Sequence, residues 1–134
     1  MANRFLWGLT LSGVLLPPLL VCGLLFVQHS TTYRPTGTLV LIAVFGGLGW
    51  LPVVAILKRL QPSQLRIVGV SAMVFAVLVI SSLGYGVEFD AALAARPSST
   101  GAVALPFMVV YGFAGGLIGY GFGVTIERKY RRDP

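Results

Sequence analysis

Four stretches of this chain, 5–27, 38–57, 67–87 and 102–126, contain no Asp, Glu, Lys or Arg, and each is at least 20 residues long. At 1.5 Å rise per residue, about 20 helical residues cover the roughly 30 Å hydrocarbon core of a bilayer. The sequence therefore predicts an all-α integral membrane protein, a compact bundle of four transmembrane helices over about those ranges. In the first stretch 14 of 23 residues are Leu, Ile, Phe or Val. At about 0.3–0.6 kcal/mol each, they favour insertion by roughly 4–8 kcal/mol. The 5–27 run is read as a retained span rather than a secretory signal, because signal cores hold about 7–15 apolar residues.

Composition excludes the alternatives. Only 10% of residues are charged and 56% are apolar, where a soluble domain carries about 25% charged residues. Disorder requires low hydrophobicity and high charge density, the reverse of what is present. The 134 residues make one domain. The single cysteine, Cys22, allows neither an internal disulfide nor a multi-cysteine zinc site.

The short connections set the orientation. Arg4, Lys58, Arg59, Arg66, Arg128, Lys129, Arg131 and Arg132 would lie on one side and only Arg34 and Arg96 on the other. By the positive-inside rule both termini and the middle connection face the cytoplasm, N-in/C-in, with 127–134 as a short basic cytoplasmic tail. The expected location is a bacterial-type cytoplasmic (inner) membrane. The net charge of +6 is then mostly a topology signal. Arg128, Lys129, Arg131 and Arg132 read as an anchor, with contact to anionic lipid or an acidic partner as the lesser reading. No soluble basic module is available to bind nucleic acid.

Gln61-Pro62-Ser63 reads as a tight turn that makes the second and third helices antiparallel neighbours. Residues 88–96 read as an outer connection with a short interfacial helix, which puts Glu88 and Asp90 outside the membrane. On that placement no ionisable residue lies mid-membrane, which argues against a proton-coupled carrier. One histidine, His29, cannot build a bis-histidine haem and reads as a solvated loop residue. Neither a cofactor nor a metal site is expected, and with no nucleophile and base at helical spacing the chain is not expected to be an enzyme. Ser12, Ser71, Ser81 and Ser82 are expected to bond backbone carbonyls or neighbouring helices. Trp7, Tyr33, Tyr85 and Tyr130 sit where interface anchors do, while Trp50 and Tyr120 lie deeper and need partners for their polar atoms. Ile118-Gly119-Tyr120-Gly121 superficially matches a potassium-channel filter, but a filter is a re-entrant loop followed by another span, which is absent here.

The fourth helix is the most informative. At about 100° per residue, Gly112, Gly115, Gly116, Gly119 and Gly123 share an arc of roughly 100°, and Gly121 falls well outside it. Such a face admits another backbone closely. A helix of the same chain is the first reading of its occupant and a helix of another molecule the second. Pro17 and Pro18 lack N–H groups, which frees the carbonyls of Gly13 and Val14 and should bend the first helix. Those carbonyls either find local partners or offer a polar site. The chain is expected to be a non-enzymatic membrane protein that packs against a membrane partner, as an accessory subunit or an immunity or inhibitor protein. A small homo-oligomeric channel or transporter is the alternative.

Overall fold

A computed structural model describes residues 2–29, 31, 37–92 and 99–132. The described residues form four helices: α1 (Ala2–Gln28), α2 (Thr38–Leu57), α3 (Pro62–Ala92) and α4 (Ser99–Arg132). All four are long and apolar enough to cross a membrane. In hydrocarbon every backbone N–H and C=O must be satisfied within the protein, and a helix does so within its own segment. Long, charge-free segments therefore form helices whatever the helix propensity of their many glycines and valines.

Three helices run beyond their charge-free cores, α1 only by its first turn with Arg4 and α3 and α4 by more. α3 begins at Pro62, five residues before the apolar stretch. Proline suits a first helical position, where its missing N–H leaves no bond unmade. The Gln61 carbonyl opens the helix by accepting from the N–H groups of Gln64 and Leu65, both at 3.0 Å. Before it α2 closes tightly, with Lys58 N–H bonded to the Val54 carbonyl at 2.9 Å and Leu60 N–H to that of Leu57 at 3.1 Å. At its other end α3 continues to Ala92, so Glu88 lies on a spanning helix and not in a connection. The interfacial helix expected over 88–96 is replaced at 88–92 by this extension, and 93–98 lie outside the described residues, as does Tyr33. α4 likewise carries the basic segment to Arg132 as helix, where a short tail was expected.

The contacts set the arrangement. Leu9 of α1 lies beside Gly69 near the start of α3, and Gly123 near the end of α4 lies against Val68. Both described chain ends and the α2–α3 turn therefore share one end of the bundle, called the basic end below. α2 and α3 each touch all three other helices, whereas α1 and α4 do not touch one another. The cross-section is thus a rhombus with α2 and α3 across its short diagonal. Trp50, Ile42, Leu57, Ile80 and Met108 fill its centre and are fully buried. Lipid tails are as apolar as leucine, so close packing rather than exclusion from water favours this association.

Candidate functional site

The glycine arc of α4 is closed within the chain. A methyl group at Gly119 would lie 2.5 Å from the Ser71 carbonyl oxygen and 2.7 Å from the Ala72 Cα, and one at Gly123 2.7 Å from the Val68 Cα. These neighbours are backbone atoms of α3, so the two main chains are in direct contact. Gly115 faces Val79, Gly112 faces Ile80 and Gly116 faces Val53 of α2. The Ser71 hydroxyl donates to the Gly119 carbonyl at 2.7 Å across the seam. Gly121, off the arc, has nothing within 4 Å. Gly119, Tyr120 and Gly121 belong to uninterrupted helix.

A second set of close approaches centres on α2. A methyl group at Gly46 would meet Ile80 of α3, one at Gly47 Val14 of α1, and one at Gly49 the Val109 carbonyl of α4 at 2.7 Å. Three glycines within four residues thus admit a different helix each. Beside them the Trp50 indole occupies the notch left by Gly13, where any Cβ would land on the ring. Its N–H donates to the Leu9 carbonyl at 3.1 Å. The indole thus bonds a carbonyl one turn before Gly13, not the ones that Pro17 and Pro18 release at Gly13 and Val14. Both prolines lie inside the unbroken helix α1, Pro17 fully buried.

At the end opposite the basic one, the ends of α1 and α3 meet in a polar and aromatic cluster. The Tyr85 hydroxyl donates to the Gln28 side-chain carbonyl. His29 is half-buried beside Phe89, with ring centroids 5.8 Å apart, so one side of it is packed where a solvated loop residue was expected. Glu88, seven residues beyond Ser81 and so on the same helical face, is fully buried. The buried Ser81 hydroxyl oxygen has no hydrogen-bond partner among the described residues. Ser82 follows the expected pattern and bonds the Leu78 carbonyl at 2.8 Å.

The basic end holds two clefts of about 430 Å³ each. One lies between α3 and α4 and is lined by Leu60, Gln64, Val68, Tyr120, Val124, Glu127 and Arg128. Glu127 is 6% exposed. Arg128 and Lys129 are exposed, and Arg131 and Arg132 continue the helix. The other cleft, between α1 and α2, is bordered by Trp7, Thr10 and Lys58. Trp7 and Tyr130 are exposed, as interface anchors are.

Sequence reasoning missed the two buried carboxylates and the α2 glycines. Glu127 stands beside four basic residues and reads as part of their run. Gly46, Gly47 and Gly49 share no single face, so no stripe marks them. Among the described residues no three of His, Cys, Asp and Glu come together as a metal would need. No protein-family model, no curated protein and no solved structure matches the chain.

Proposed function

We propose that this chain is a non-enzymatic integral protein of a cytoplasmic membrane, with both termini in the cytoplasm, that acts by packing α1 against a helix of a membrane partner. Its role is that of an accessory subunit or an inhibitor of a membrane complex. The observation that carries this reading is the openness of α1. Only 22% of its most apolar window is buried within the chain, against 44% for α3, and among the described residues a methyl group at Gly8 or Gly23 would meet no neighbouring helix or side chain within 4 Å. Gly8, Leu11, Leu15, Leu19 and Phe26 recur at helical spacing and are all exposed. Gly8 also stands four residues from Ser12, the small-xxx-small spacing that lets helices approach. The arc glycines of α4 already receive α3 and α2, whereas Gly8 of α1 leaves a notch open to another molecule. The filled centre around Trp50 favours this reading over a pore through one copy.

The orientation rests on the split of eight basic residues against two. The test is native electrophoresis of mildly solubilised membranes. Gly8→Leu adds a side chain into open space, so the fold survives while the complex falls to the size of the isolated chain. Gly121→Leu, also open, leaves the complex intact. A complex unchanged by Gly8→Leu would remove α1 as the contact.

A further inference from the structure

The cleft between α3 and α4 sets an acidic and a basic side chain beside an apolar wall. Glu127 and Arg128 flank it, Gln64 faces it from the first turns of α3, and Leu60, Val68 and Val124 line it. Tyr120 lies seven residues before Glu127, roughly 10 Å deeper along the helix axis. Its volume of about 430 Å³ is within the roughly 300–1,000 Å³ of small-molecule sites. Gln64 opens the third candidate span, and Glu127 and Arg128 lie in the last turn of the fourth. The cleft therefore runs from headgroup level toward the acyl chains.

We propose that this cleft binds a zwitterionic phospholipid with a primary amine, of the phosphatidylethanolamine type, with the ammonium at Glu127 and Gln64 and the phosphate at Arg128. The chemistry selects among headgroups. A primary ammonium donates three hydrogen bonds, and a carboxylate offers about four lone-pair sites, so Glu127 accepts it beside any partner within the chain. A quaternary choline headgroup has no N–H to donate. A purely anionic headgroup would suit Arg128 but would bring negative charge against Glu127. Arginine matches phosphate oxygens with a planar pair of donors. Val68 and Val124, roughly 4–6 Å inward of Gln64 and Glu127 along their helix axes, are at the depth of the glycerol esters, and Tyr120, deeper still, is at that of the first methylenes. The α1–α2 groove has Lys58 but no acid, so it has no means of choosing an amine. This site is independent of the α1 contact.

Native mass spectrometry of the purified full chain, titrated with phosphatidylethanolamine, its mono- and dimethylated forms, phosphatidylcholine and phosphatidylglycerol, tests the proposal. The expected result is at least tenfold tighter binding of phosphatidylethanolamine than of phosphatidylcholine, falling with each added methyl. Glu127→Gln should abolish that preference. Because Glu127 is buried, Arg128→Ala, at an exposed position, gives a second arm and should weaken all phosphate-bearing lipids at least fivefold with the melting temperature unchanged. Glycerophosphoethanolamine without acyl chains should bind at least tenfold more weakly than the lipid. Equal binding of the ethanolamine and choline lipids, or a preference unmoved by both substitutions, would overturn the site. Equal binding of the deacylated headgroup would overturn the lipid as its occupant.

Discussion

The hydroxyl of Ser71 donates to the carbonyl of Gly119 at 2.7 Å, across a seam so close that a methyl group on Gly119 would lie 2.5 Å from the Ser71 carbonyl oxygen. The obstacle is main chain, which cannot rotate aside, so Gly119→Leu should cost about 1–3 kcal/mol, the usual penalty for overpacking. Gly121→Leu meets nothing within 4 Å and should leave stability nearly unchanged. Thermal melting in mild detergent separates the two. Equal tolerance would mean that the seam does not hold α4 to α3.

Trp50 and Gly13 form a matched pair at the α1–α2 contact. Trp50→Phe removes one buried hydrogen bond, worth about 1 kcal/mol, and leaves a small void. Gly13→Ala forces a Cβ into the indole, displacing the ring and its bond to Leu9 together. The melting temperature should therefore fall further for Gly13→Ala than for Trp50→Phe, and the reverse order would show that the notch yields easily.

Ser71, part-buried, and Ser81, buried, on α3 should respond oppositely. Ser71→Ala loses the bond to Gly119 and should cost about 0.6 kcal/mol, the average for interhelical bonds in membranes. Ser81→Ala removes a buried hydroxyl that has no partner among the described residues and should be neutral or stabilising. Chemical denaturation in mixed micelles measures both, and a destabilising Ser81→Ala would mean that its hydroxyl is bonded in the membrane.

Spans and their neighbours were legible in the sequence to different degrees. Length and the absence of charge marked all four helices, and the Gln61-Pro62 turn made α2 and α3 neighbours. A segment that is apolar all round carries no inward face in its pattern, so the glycine arc of α4 was visible but its occupant was not. Glu88 was placed outside because a charge ends an apolar run, yet α3 continues past it and buries it. The α3–α4 cleft joins Gln64 to Glu127, residues far apart in sequence, and no local spacing reveals that meeting.

Orientation has its own test. In a Cys22→Ser background, a membrane-impermeant thiol reagent applied to intact cells should label Ser99→Cys and leave Gln61→Cys unlabelled. The opposite pattern would invert the topology argued from the basic residues.

The outward face of α1 is tested most directly by photocrosslinking in native membranes. A photoreactive residue replacing Leu11 or Leu15, both exposed on α1, should yield a protein adduct of one defined mass, and the same residue replacing Leu78 of α3 or Phe122 of α4, exposed elsewhere, should yield none. Introducing Gly8→Leu should abolish the α1 adduct while the protein remains in the membrane. Lipid adducts alone at Leu11 and Leu15, or the same protein adduct from all four positions, would contradict a partner docked on α1.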